Sequence, residues 1–280
     1  MQEATDISKG GDLRHFRNNW DYFETSKADY VLISSSQFVS NMDYQALFNS
    51  HLESKADITL LTTHYDLLPE HDACLKVEVD ADNQVKTITN DTKNPHVFSG
   101  GVYVIKKSLL YALIEACIAN YKENFFLDGV ITNLNCLKVH SYYYEGYSVI
   151  INSIDSYYKQ SLALLEIDNY RQLFSEWERV YTKIGNQAPT KYNSSAKVSR
   201  SMIATGGVIN GEVDNSILFR GVKVGKGAKI KNSIILQHCT IRDGAHIENV
   251  ILDKDVTITE DQLLKGAKEQ PFIVAKNKTV

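Results

Sequence analysis

The sequence predicts an α/β fold in two parts: an open sheet covered by helices, then a left-handed parallel β-helix of hexapeptide repeats. Apolar, mostly β-branched residues return every five or six positions between Val198 and Ile258. The clearest run is Val224, Ile230, Leu236, Ile241, Ile247, Leu252 and Ile258. Neither an α-helix nor an ordinary strand has that period. A triangular coil with one short strand per step does, because each step returns an apolar side chain to the inside. Gly225, Gly227 and Gly244 fall between the apolar positions, where the chain must turn. Upstream, short apolar runs alternate with helical stripes, which argues for a sheet covered on both faces. A chain of 280 residues has room for two such domains.

The elements follow in order. The start is polar and weakly patterned. Residues 28–34 (ADYVLIS) read as a buried strand, and Asp43 as the N-cap of a helix carrying Leu47, His51 and Leu52. Ile58–Thr63 reads as a second buried strand. Cys74–Val79 and Gln84–Thr89 read as a hairpin whose turn is Asp80-Ala81-Asp82-Asn83. Val102–Ile105 and Val139–Tyr144 are further strands. Leu109–Tyr121 carries a helical stripe at 109, 110, 113, 114, 117 and 118. Asp155 to about Val180 reads mostly as helix. The expected domains are therefore 1–184 and 196–280, with 185–195 (GNQAPTKYNSS) as a linker.

Composition excludes several functions. The net charge of −4 gives no reason to expect a nucleic-acid surface. Cys74, Cys117, Cys136 and Cys239 are scattered and form no CxxC pair, which argues against structural zinc and for a reducing cytoplasm. No stretch of 18 apolar residues is present, so no membrane span is expected. His64 and His71 lack ligand spacing, and Gly10-Gly11 has no apolar strand before it to make a phosphate loop. Asp80 and Asp82 sit in turn chemistry. Asp128 reads as a helix cap, and Tyr142, Tyr143, Tyr144 and Tyr147 as half-buried packing. Lys226, Lys229 and Lys231 read as a solvated face.

Several segments then carry a family resemblance. They are YVLISSSQFVSNMDY (Tyr30–Tyr44), SGGVYVI (Ser99–Ile105), EGYSVIINSIDSYY (Glu145–Tyr158) and VYTKIGNQAPTKY (Val180–Tyr192), followed by the hexapeptide coil. Together, from about Gly11 to Ile258, they resemble the ADP-glucose pyrophosphorylase (glucose-1-phosphate adenylyltransferase) family. The similarity is greatest to the divergent, non-catalytic D-type subunit of bacterial glycogen biosynthesis. The resemblance implies a nucleotidyltransferase-type, Rossmann-like sheet domain that here lacks its N-terminal nucleotide-binding part, as in a truncated chain. In catalytic members two carboxylates hold Mg²⁺ while a sugar phosphate attacks the α-phosphate of ATP.

Most of that machinery is missing. Gln37, in Ser35-Ser36-Gln37-Phe38, stands where the first metal carboxylate belongs. Ile150 stands where the second belongs. Asn90-Asp91-Thr92 replaces a Glu-Lys-Pro sugar-phosphate site, and Asp12-Leu13-Arg14 follows Gly11 in place of Thr-Ala-Asp. Ser99 and Gly100 have two readings: a tight turn before the buried strand, or a remnant of the sugar site. The resemblance thus implies a regulatory or structural subunit with no catalytic residue, metal or cofactor of its own. Its implied partner is a homologous catalytic subunit, in a heterotetramer. Two other readings stand beside it: a competent nucleotidyltransferase using other carboxylates, and a hexapeptide acyltransferase using His238 or His246.

Overall fold

The computed structural model describes residues 12–64, 74–89, 96–174, 180–181 and 185–280. The chain divides into two compact units after Ile150.

In the first unit, β3 (Ile58–His64) and β6 (His96–Lys106) form the centre of a sheet ordered β5-β4-β6-β3-β7. The other strands are β4 (Lys76–Val79), β5 (Val85–Thr89) and β7 (Val139–Tyr143). The strand β1 (Tyr30–Ile33) joins β6 on the same side as β4. Only the β3–β7 pair is parallel; the rest of this sheet is antiparallel.

Alternation along the central strands sorts the core into two faces. Ile58, Leu60, Tyr103 and Ile105 point to one face, where they meet Leu110, Ile114 and Cys117 of α4 (Lys107–Ala119). Leu61, Val102 and Val104 point to the other, against Leu47 of α3 (Tyr44–Ser54). Asp43 caps α3 as expected, accepting the Gln45 N–H at 2.8 Å.

The polar start is more ordered than its composition suggests. Leu13–Asn18 forms α1 and Trp20–Thr25 forms α2. Leu13, Phe16, Trp20 and Phe23 recur at helical spacing and pack on the α4 face. The strand expected at Val102–Ile105 is the end of the much longer β6.

The second unit opens with two helices rather than one. They are α5 (Ile154–Ala163) and α6 (Ile167–Phe174), with a turn between them. A reciprocal Ser153–Ser156 capping box starts α5.

The coil follows as three parallel sheets of five strands each. The repeat closes at 17 residues: Val213 pairs with Ile230, Ile230 with Ile247, and Ile247 with Leu264. The inward residues Val224, Ile230, Ile241, Ile247, Leu252 and Ile258, shared among the three sheets, are buried, as the spacing predicts. Leu236 is the exception. Ile235 takes the inward position, and Leu236 lies outside against the α5 cluster. Lys191–Tyr192, within the stretch read as a linker, is the first coil strand and pairs with Val208–Ile209.

One outer face of the coil is apolar. Met202, Ile217, Ile234, Ile251 and Ile273 share an outward column, each in register with the next. Tyr157, Tyr158 and Leu162 of α5 cover its middle. The Tyr158 hydroxyl donates to the Asn232 carbonyl at 2.5 Å, which ties α5 to a coil corner.

Candidate functional site

Two three-residue strands bring positions 37 and 150 together. In a separate ribbon, β2 (Phe38–Ser40) pairs antiparallel with β8 (Ser148–Ile150), and Phe38 lies opposite Ile150. Gln37 therefore flanks the partner of Ile150. Its N–H donates to the Ser35 hydroxyl at 3.1 Å, which fixes the turn entering β2.

Ile150 is 2% exposed. It packs with Phe38, Met42, Leu47, Leu61, Val102 and Val104.

Beside the ribbon, β6 breaks its ladder with β3. The pairing jumps from Leu60↔Tyr103 to Thr62↔Phe98, so the segment holding Ser99, Gly100 and Gly101 bulges out. Gly101 adopts φ +67°, which a side chain resists. The β1–β6 register, Ile33 against Tyr103, carries Ser35 to the level of Gly101. Ser99 and Gly100 thus lie on a strand bulge whose next residues reach the ribbon's surroundings, Gly101 near Ser35 and Val102 in the cluster that holds Ile150. The side chains of Ser99 and Gly100 fall outside what is described.

Comparison with known proteins places this geometry in a family. A GlmU-like C-terminal hexapeptide family model matches residues 187–270. The glycogen biosynthesis protein GlgD of Bacillus subtilis is 36% identical over 267 residues, covering 95% of this chain and 68% of that protein. The chain belongs to the GlgD family. The GlgD of Geobacillus stearothermophilus is 36% identical over 269 residues, with the same coverage. The glucose-1-phosphate adenylyltransferase of that organism is 30% identical over 221 residues, 76% of this chain and 56% of the enzyme. The GlgD family is thus related to the adenylyltransferases.

For this GlgD-family chain, the magnesium ion of catalytic adenylyltransferases is a poor fit at the ribbon. Ile150 offers methyl groups and no lone pair. Gln37 offers a neutral amide oxygen and no charge. Among the described residues, no three His, Cys, Asp or Glu side chains gather as a metal site. A divalent ion seated here would face hydrocarbon, against the preference of Mg²⁺ for charged oxygen ligands.

The remaining candidates resolve into structural roles. Asp80 closes the β4–β5 hairpin turn, accepting from the Asp82 and Gln84 N–H groups at 3.0 and 2.9 Å and pairing with Lys86 at 2.7 Å. The Lys86 ammonium holds the Asp80 carboxyl below the usual carboxylate range. Asp128 accepts the Asn124 N–H at 3.2 Å, and Asn124 in turn accepts that of Leu127. The two residues cap the π-helical turn Phe125–Val130. Tyr142 and Tyr144 are half-buried packing on the α3 face, and Lys226, Lys229 and Lys231 are exposed. His238 turns a coil corner at φ +61°, and His246 faces outward on a strand. Gly10, Gly11, His71 and Asn90-Asp91-Thr92 lie outside the described residues.

Two features were overlooked in the sequence. His51 is 3% exposed and bonds through Nδ1 to the Thr59 hydroxyl at 2.8 Å. Burial lowers its pKa below the usual histidine value; Asp57 pulls the other way, and His140 adds to the lowering. In the coil, an amide ladder runs from the Asn215 side chain to Asn232 (2.8 Å), then to Asn249 (3.2 Å) and the Gly266 carbonyl (3.0 Å). Its spacing of 17 residues was visible in the sequence.

No helix among the described residues is long and apolar enough to cross a membrane.

Proposed function

We propose that this chain is a non-catalytic subunit of glucose-1-phosphate adenylyltransferase that acts in glycogen biosynthesis. In this reading it assembles with a homologous catalytic subunit in the cytoplasm, as a heterotetramer, and adjusts that enzyme's activity. The observation that carries the reading is Ile150 packed into an apolar cluster opposite Phe38, with Gln37 alongside. Where catalysis needs anionic metal ligands, the ribbon presents a hydrocarbon and an amide. Losing both anionic ligands forfeits on the order of several kcal/mol of transition-state stabilisation, and each ~1.4 kcal/mol is tenfold in rate.

On the same reading, residues 1–184 hold a nucleotidyltransferase-like domain and residues 196–280 the β-helix domain, whose first strand, Lys191–Tyr192, falls in the stretch 185–195 expected as a linker. Ser99 and Gly100 are then remnants of a sugar subsite. The chain needs no cofactor of its own, while Mg²⁺ serves the catalytic partner.

The test is to purify the chain alone and co-expressed with a catalytic adenylyltransferase, then assay ADP-glucose formation with Mg²⁺. The expected result is no turnover alone, co-elution of the two subunits on size exclusion, and altered kinetics of the pair. Turnover at an ordinary enzyme rate by the isolated chain overturns the reading. So does a chain that never co-elutes and leaves the partner's kinetics unchanged.

A further inference from the structure

We propose that a groove of about 380 Å³ on one outer face of the coil binds a neutral saccharide chain. The coil's three sheets present three different faces. One is the apolar column that α5 covers. A second carries the ion pairs Lys197–Glu212 (3.0 Å), Arg200–Asp214 (2.9 Å) and Lys265–Glu248 (2.8 Å). The third stacks Lys191–Tyr192, Val208–Ile209, Lys223–Val224, Thr240–Ile241 and Thr257–Ile258 in parallel. Ile209, Val224, Ile241 and Ile258 turn inward, so Val208, Lys223 and Thr240 point out, and the groove lies over these three. The strands Lys191–Tyr192 and Thr257–Ile258 flank it.

Its walls are charged but unpaired. Lys223 and Arg242 supply one sign, Asp243 and Glu260 the other, and all four are exposed. Among the described residues no ion pair joins any of them. Asp243 accepts the Lys226 N–H at 2.8 Å. Asn210 and Thr240 add an amide and a hydroxyl. From turn to turn Gly225 lies between Asn210 and Arg242, so no side chain fills the space between them.

A lone anion does not suit this lining, because two carboxylates offset the two cations. A lone cation fails for the converse reason. Hydroxyl groups suit it: each can donate to a carboxylate while its oxygen accepts from a guanidinium, ammonium or amide. Vicinal hydroxyls on a sugar ring therefore bridge charges that do not reach each other directly. Val208 and the aliphatic stems of Lys223 and Arg242 present C–H surface to the less polar face of the ring. Strands stack about 4.8 Å apart, so the groove from Val208 to Thr240 spans about 10 Å, a length for linked sugars rather than a single ion. That the chain is an α-1,4-glucan rests on the function proposed above; the saccharide class rests on the groove.

The test titrates the full chain with maltoheptaose and, separately, with sodium pyrophosphate, by isothermal calorimetry. Maltoheptaose should bind saturably and with little dependence on added salt, because it carries no charge. Glu260→Gln and Arg242→Met should each weaken it about tenfold, the loss of a hydrogen bond to a charged group, and should melt as the wild type does. Lys197→Gln, on the ion-paired face, should leave binding unchanged. Absence of saturable maltoheptaose binding overturns the proposal. So does binding of pyrophosphate in its place, or maltoheptaose binding that neither Glu260→Gln nor Arg242→Met weakens. The titrations need no catalytic partner, so their failure is distinct from a failure to co-elute with one or to alter its kinetics.

Discussion

Two buried isoleucines show how the two units differ. Ile247 lies inside the coil, in register with Ile230 on one side and Leu264 on the other. Each neighbour is 17 residues away and supplies the same kind of side chain. Ile150 lies in the sheet-bearing unit, opposite Phe38, a partner 112 residues earlier in the chain. Its surroundings come from β2, β3, β6 and α3, and no repeat supplies an equivalent. The coil spreads its stability over near-identical layers. The sheet unit concentrates dependence on single long-range contacts, and the β2–β8 ribbon is one of them.

The largest effect is expected at Ile150. Ile150→Asp exchanges a packed side chain for a buried carboxyl with no described cation beside it. Emptying such a site costs about 2–5 kcal/mol, and the carboxyl adds its own desolvation. The substitution should lower the melting temperature sharply. Combined with Gln37→Asp, it should still yield no ADP-glucose. A double variant that melts like the wild type and turns over with Mg²⁺ would show that the ribbon is an adaptable site rather than core.

Ile230→Ala should cost somewhat less, toward the lower end of about 2–5 kcal/mol, because neighbouring turns can close part of the space. The loss should also be local. Hydrogen exchange should quicken in the strands holding Val213 and Ile247 and remain unchanged in β3 and β6. Faster exchange in both units would erase the contrast between layered and long-range stabilisation.

The contrast also explains what could be read from the sequence. The coil was legible because a period needs no knowledge of distant partners. It misled only at Ile234-Ile235-Leu236, where three apolar residues adjoin. Spacing alone cannot tell which one turns inward when α5 covers the outside. The asparagines at 215, 232 and 249 were equally visible, but a search for six-residue steps passes over a period of 17. In the sheet unit, β2 and β8 are three residues long and pair across more than a hundred residues, so no local pattern marks them. The reading of positions 37 and 150 rests on resemblance alone, because no composition or spacing sets them apart from ordinary strand positions. The helical start was hidden because Asn19 splits its apolar stripe into two short helices.

The ladder sharpens the comparison at a finer scale. Asn232 sits at φ +47°, and its side chain both donates and accepts within the ladder. Asn232→Ala loses those bonds and leaves at the left-handed corner a residue that tolerates it less than asparagine does, for about 2–3 kcal/mol in all. Asn232→Gly relieves the backbone and loses only the amide, about 1–2 kcal/mol. Tyr158→Phe removes one bond to the same residue's carbonyl, about 1 kcal/mol. Chemical denaturation of the three variants should rank them in that order. Equal losses for alanine and glycine would remove the left-handed corner from the account.

The smallest effect belongs to the sheet unit and is the one that pH controls. His51 is held neutral by burial, with its pKa below that of the unfolded chain. Near neutrality both states are unprotonated, and the His51–Thr59 contact contributes fully. As pH falls through the unfolded value, about 6.5, the unfolded chain takes up a proton before the folded one does. Stability is therefore lost between that value and the lowered folded pKa, and the loss is complete below both. His140 acts in the same direction. Its burial and Lys138 lower it, while Asp80 opposes them. His51→Gln should flatten the decline in melting temperature below about pH 6.5 without altering exchange in the coil, which holds neither residue. A variant whose acid sensitivity matches the wild type would move the pH dependence from this buried histidine to the carboxylates, and with it the claim that the sheet unit is the acid-labile half.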